Sequence, residues 1–132
     1  MNAQFQQVRL SAPGIALAII LSLTCNLAFA NTRVGTAVFY SDKMDGHPVS
    51  LKGEKYDKNA LTAATHKGFP LGSRVKVTNL ANQKSVIVRV NDRMNPKSHA
   101  VIDLSRKAAE ELDMIDRGHT KVRIESIDAN SK

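Results

Sequence analysis

The run Ser85-Val-Ile-Val-Arg-Val-Asn-Asp-Arg93 is a β-branched stretch that ends in a polar cluster, Asn91-Asp92-Arg93. A second carboxylate, Asp103, follows within Val101-Ile-Asp-Leu-Ser105, where an apolar stretch hands over to helix-forming residues. Acids at neighbouring backbone ends can line one cleft. Carboxyl groups held at unequal pKa there are what acid and base catalysis at a glycosidic bond requires. Asp103 is the first candidate for the acid. Val101, Ile102 and Leu104 surround it, and a desolvated carboxyl keeps its proton to higher pH. The competing role is structural, since acids near a helix start interact favourably with the helix dipole.

Glu54 and Asp57 form a second candidate pair, three residues apart after Gly53 and able to face one groove. Lys52, Lys55 and Lys58 beside them equally suit solvated ion pairs, each worth about 1 kcal/mol at most. Asp92 with Arg93 fits a structural ion pair or a hydrogen-bond hub at the strand end, as well as contact with a substrate. Asn91 can donate its amide to a sugar hydroxyl or satisfy a buried turn. His66 suits a cleft ligand or an exposed loop, and Tyr40 and Tyr56 can stack on sugar rings or pack in the core.

The elements that must position these residues are short. Residues 34–40 are β-prone, and residues 41–58 read as a long ordered loop rich in polar residues, Gly and Pro. Arg74-Val-Lys-Val-Thr78 alternates with period two. Val86-Ile-Val-Arg-Val90 is more continuously apolar, as for a strand covered on both faces. Asn79 and Asn82 supply turn chemistry between them, which predicts a hairpin. Lys121-Val-Arg-Ile-Glu125 alternates again. One helix is expected after Ser105, a good N-cap, with Ala108, Ala109 and Leu112 on one face and Leu104 as a staple on Ala109. Short strands, one helix and long loops point to a mainly-β domain built as a small closed barrel.

Residues 1–30 read as a secretory signal: Arg9, an apolar stretch from Ile15 to Leu23, and the small-x-small site Ala28-Phe29-Ala30. Cleavage is expected after Ala30, with export to the periplasm or cell envelope and no membrane span in the mature form. Lipidation at Cys25 is not expected, because Thr24 is a poor residue before it. One domain over residues 31–127 and a disordered tail over 128–132 remain, about 100 residues in all. Cys25 is the sole cysteine and departs with the signal, so the domain holds itself together without a disulfide. Four His without a remaining Cys offer no metal-ligand spacing, so neither metal nor cofactor is expected. The net charge of +7 suits anionic wall polymers, phospholipid surfaces or nucleic acid, and export argues against the last. A monomer is expected.

Gly35-Thr-Ala-Val-Phe-Tyr40, Gly53-Glu54 with Asp57, Leu61-Thr-Ala-Ala64, Phe69-Pro-Leu-Gly72, Val75-Lys-Val-Thr-Asn-Leu80, Val88-Arg-Val-Asn-Asp-Arg93 and Ile102-Asp-Leu-Ser105 stand in one order along the chain. In that order they resemble the rare lipoprotein A (RlpA) family over nearly all of the mature chain. The resemblance implies a six-stranded double-psi β-barrel with one or two short helices, a place in the bacterial envelope, and lytic transglycosylation of peptidoglycan glycan strands. It also implies Asp103 as the catalytic acid and links Glu54 and Asp57 to activity. From the residues themselves, His66, Asn91, Asp92, Arg93 and Tyr40 are the candidate substrate contacts.

Two departures bear on substrate placement. The family's Leu-Thr-Ala-Ala runs directly into His, whereas here Thr65 precedes His66. The usual aromatic-His-Gly-Arg entry before Gly53 is replaced by Met44-Asp-Gly-His-Pro48, in a loop one residue longer. A non-catalytic, expansin-like glycan-binding module is the alternative from another class. A hydrolase of another β-linked polysaccharide is a third reading.

Overall fold

The computed structural model describes residues 31–127. The expected signal over residues 1–30, its cleavage after Ala30, Cys25 and the tail over 128–132 lie outside the described residues. Six strands close into a barrel: β1 Thr32–Phe39, β2 Thr62–Thr65, β3 Arg74–Asn79, β4 Ser85–Arg93, β5 Ile102–Leu104 and β6 Thr120–Ser126. Their order around it is β1-β5-β2-β4-β3-β6, with β6 pairing back onto β1. The pairs β1–β5 and β2–β4 are parallel and the other neighbours antiparallel. Closure satisfies the backbone groups that an open sheet would leave on its edges.

Side-chain alternation sets which face points inward. Val75 and Val77 of β3 and Val122 and Ile124 of β6 fill the lumen, while Lys76 and Lys121 face out. On β4, Val86, Val88 and Val90 are buried, but Ile87 is 48% exposed. The expectation of a strand covered on both faces is therefore corrected. A barrel buries only its inner face, and at Ile87 the outer face, beside Lys76 of β3, carries no second layer. The β3–β4 hairpin forms as expected. Asn79 and Asn82 close its turn by accepting from Ala81 N and Lys84 N, each at 2.9 Å.

Helix α1, Arg106–Glu111, starts at Ser105, whose Oγ accepts from Ala108 N at 3.2 Å. Ala108, Ala109 and Leu112 pack into the same core as Leu104. The long loop after β1 contains one 3-10 turn, Asp42–Met44, and folds onto the outer face of the barrel. There Tyr40, Tyr56 and Ala64 form a second cluster with Val49 and Met94. Gly35 marks a close approach, since a Cβ added there would lie 2.3 Å from Val101 Cγ1. No described helix is long and apolar enough to cross a membrane.

Candidate active site

The register of four strands places the two carboxylates. Val38 of β1 pairs with Asp103 of β5, Asp103 pairs with Ala64 of β2, and Ala64 pairs with Asp92 of β4. Residues level with one another across a sheet point to one face, so Asp92 and Asp103 flank Ala64 on the outer side of the barrel. With strands about 4.8 Å apart, their backbones stand roughly 10 Å from each other, and the small Ala64 side chain leaves the space between them open. The ladder skips one residue of β4 here: Ala63 pairs with Val90 and Ala64 with Asp92. Asn91 is thus the extra residue of a bulge, a device that re-aims side chains beside functional clefts.

The loop before β2 clamps this segment at three successive points. Leu51 N donates to Asn91 O at 2.9 Å. Ser50 donates to Asp92 Oδ1 through its backbone N at 2.9 Å and its hydroxyl at 2.7 Å. Arg89 forks onto Glu54, with Nη1 2.7 Å from Oε2 and Nη2 2.5 Å from Oε1.

The two aspartates are driven apart in protonation. Burial alone would raise Asp92, but hydrogen bonds from the Tyr40 hydroxyl, both Ser50 donors and Arg93 N outweigh it and hold the carboxyl below its ordinary range. Asp103 has no such donors. Its Oδ1 is buried with no hydrogen-bond partner among the described residues. Burial, and secondarily the Asp92 charge, push it up to about 6. One acid stays ionised and its neighbour keeps a proton into mildly acidic solution, a division of roles suited to acid and base chemistry.

Tyr40 and Tyr56 stack on each other with ring centroids 4.4 Å apart. Tyr40 is 9% and Tyr56 2% exposed. Tyr40 donates to Asp92 Oδ2 at 2.6 Å, and Tyr56 Oη accepts from Arg106 N at 3.1 Å. Burial, followed by its bond to Asp92, raises the Tyr40 phenol well above its ordinary range, and burial raises Tyr56 in the same direction. Glu54 is held low by the Arg89 fork and further by Asn91. Asp57 is exposed and accepts from Asn59 N at 2.8 Å in a local turn. Among the described residues no hydrogen bond or ion pair joins Glu54 or Asp57 to Asp103.

Asp92 is a hydrogen-bond hub, but its guanidinium neighbour turns elsewhere. Arg93 Nη1 donates to Thr65 Oγ1 at 3.2 Å and to Phe69 O at 2.8 Å, so no side-chain ion pair links residues 92 and 93. Asn91 is 2% exposed and belongs to the clamp. His66 lines a groove of about 580 Å³ together with Arg33, Lys67, Arg93, Met94 and Pro96. No group of three or more potential metal ligands occurs among the described residues.

Sequence reasoning missed Ser50 and Arg89. A charged residue inside the apolar run 86–90 was a signal for Arg89. Ser50, in a polar loop, offered none.

Residues 32–124 match a double-psi β-barrel family model described as "Lytic transglycolase". A Pseudomonas aeruginosa protein named endolytic peptidoglycan transglycosylase RlpA is 50% identical over 103 residues, which cover 78% of this chain and 30% of that protein. A Neisseria meningitidis protein of the same name is 47% identical over 96 residues, covering 73% of this chain and 39% of the relative. The chain thus spans about a third of the length of the curated relatives it matches. Among solved structures, an apo expansin of Clavibacter michiganensis superposes with a TM-score of 0.61 at 17% identity, covering 76% of this chain and 52% of that one. That likeness speaks to fold alone.

Proposed function

This chain belongs to the lytic transglycolase family of double-psi β-barrels, and from that premise we propose that it cleaves peptidoglycan glycan strands endolytically in the cell envelope. The scissile bond joins N-acetylmuramic acid to N-acetylglucosamine, and the product ends in 1,6-anhydro-N-acetylmuramic acid. The observation that carries the proposal is the pairing of a proton-retaining Asp103 with an ionised Asp92 across Ala64.

Asp103 gives its proton to the glycosidic oxygen as the bond to C1 breaks, which makes the departing sugar a neutral alcohol. Positive charge builds at C1, and the fixed negative charge of Asp92 favours it. The muramoyl C6 hydroxyl then bonds to C1, and its proton passes to the Asp103 carboxylate. The acid is restored and no water is consumed. Glu54, ionised on Arg89, and Asp57 at the loop surface position sugar hydroxyls. Arg93 and His66 line the groove, while the buried Asn91 and the Tyr40 hydroxyl hold Asp92 and its strand in place. The protein reaches its compartment through the signal over residues 1–30, cut after Ala30, and acts as a monomer without a cofactor.

Mass spectrometry of soluble products from purified sacculi tests this. Anhydro-muramoyl ends released by the mature protein, and missing with Asp103→Asn, are expected. Reducing ends would identify a hydrolase, and retention on sacculi without products would identify a glycan-binding module.

A further inference from the structure

Charge is spread unevenly over the barrel. Loop residues 41–58, which clamp the cleft strands, carry four acids and four lysines and contribute no net charge. Strands β3 and β6 do not balance in this way. Arg74 and Lys76 on β3 and Lys121 and Arg123 on β6 alternate with buried lumen residues, so all four point outward. The one acid among the outward residues of the two strands is Glu125, 3.5 Å from Arg123 Nε and level with Lys76. Lys76 and Lys121 have no ion-pair partner among the described residues.

Strand order sets this face against the far side of the molecule from the cleft. Around the circuit β1-β5-β2-β4-β3-β6, β3 is three steps from β5 in either direction, and β6 is three steps from β2. Asp103 stands on β5 and Ala64 on β2, so the cations of β3 and β6 point away from the carboxylates.

The form of the surface narrows what it can hold. The basic groove and the smaller polar pocket beside α1 are lined by other elements, so the β3–β6 face is sheet surface rather than a concavity. Its cations stand in two columns, about 4.8 Å apart between the strands and roughly 7 Å apart along each. A charged polymer presents anions along a line, whereas a bilayer presents them across a plane, and a two-dimensional array of cations suits the plane. Aliphatic side chains border the array. Ile87 of β4, 48% exposed, is level with Lys76, and Val34 of β1, 54% exposed, is level with Arg123. Lysine and arginine stems add apolar surface while their heads reach for phosphate, a combination suited to the headgroup zone of a membrane.

We infer that the outer face of β3 and β6 docks on the surface of an anionic phospholipid bilayer and holds the cleft facing away from it. Nothing crosses the bilayer, and the hold is reversible, since each lysine or arginine near such a surface raises partitioning only about fivefold. None of these residues belongs to the cleft, so docking is testable apart from cleavage.

The test is co-sedimentation of the mature protein with vesicles of phosphatidylcholine alone or mixed with phosphatidylglycerol in equal parts. At about 0.1 M salt, partitioning onto the mixed vesicles is expected to exceed that onto neutral ones by roughly tenfold or more, and about 1 M salt should abolish the difference. Lys76→Gln with Lys121→Gln should lower partitioning onto the mixed vesicles roughly 25-fold, and Lys76→Arg with Lys121→Arg should keep it. Arg33→Gln with Lys67→Gln, which removes the same charge from the groove, should lower it by about threefold at most, because charges more than a screening length from the bilayer contribute little. Unfolding midpoints of the variants, measured alongside, separate lost docking from lost fold. Equal partitioning onto both kinds of vesicle, or an equal loss in the two glutamine pairs, would overturn the docking face. Displacement of the protein from vesicles by soluble glycan strands would put the docking surface on the cleft side and overturn it as well. Binding to soluble polyphosphate without binding to either vesicle would overturn it in favour of a polymer.

Discussion

The burial that keeps the proton on Asp103 also costs the folded state. Its carboxyl is pushed up to about 6, against roughly 3.9 in an unfolded chain. Below pH 4 both states are protonated and nothing is lost. Between pH 4 and 6 the unfolded chain releases its proton first, so stability falls as pH rises, by about 3 kcal/mol in total at neutral pH. Asp103→Asn removes the charge that burial penalises. Denaturant unfolding should find this variant more stable than the parent at pH 7.5, by up to about 3 kcal/mol, with the gap closing near pH 4. Such a gain on replacement is expected of a site where activity competes with stability, and it would fit the acid role proposed for Asp103. The same titration sets the rate. Under the proposed role, Asp103 carries its proton into the reaction, and kcat/KM on soluble glycan strands should fall about tenfold per pH unit above 6. Asp92 shifts the opposite way and stays charged at pH values where Asp103 is still protonated. A profile flat from pH 5 to 8 would remove Asp103 from the role of acid.

The elements that hold these side chains were unequally legible. Alternating Val with Lys or Arg announced β3 and β6, because each has one face in the lumen and one in solvent. Strand β2 is Thr-Ala-Ala-Thr with all four residues buried, and β5 has three residues, so neither shows a period. Asp103 was legible because its apolar neighbours are adjacent in sequence. The Tyr40–Asp92, Ser50–Asp92 and Arg89–Glu54 contacts were not, since each joins residues far apart along the chain that only barrel closure brings together. Two substitutions probe the frame around Asp103. Ser105 is fully buried, caps α1, and has its Oγ 3.4 Å from Thr62 N on β2 as well. Ser105→Ala should cost about 1–2 kcal/mol, read as a lowered thermal midpoint. Gly35→Ala drives a methyl into Val101 at the approach to β5. It should cost about 1–3 kcal/mol in chemical denaturation and, by shifting the β1–β5 seam that carries Asp103, lower cleavage further than stability alone accounts for.

Across the whole molecule, charge and fold are largely separable. The barrel is held by an apolar lumen of Val, Ile, Leu, Ala and Phe, whose burial does not depend on ionic strength through charge. Its ion pairs are partly or largely exposed, and such pairs contribute about 1 kcal/mol or less each. The net charge of +7, which becomes +6 once Arg9 leaves with the signal, is therefore available for association. Salt separates the two. Between about 0.1 M and 1 M salt the screening length falls from about 10 Å to about 3 Å, less than the reach from a lysine head to a polymer beyond the first contact. Retention on purified sacculi should drop steeply over that range while the urea unfolding midpoint moves little. The two measurements on one preparation make the comparison internal. If retention persisted at high salt, the hold would lie in short-range contacts of the cleft, and the basic surface would take no part in it. If stability fell together with retention, the Arg89–Glu54 clamp and its neighbours would be holding the loop far more strongly than exposed pairs do, and the cleft itself would be opening.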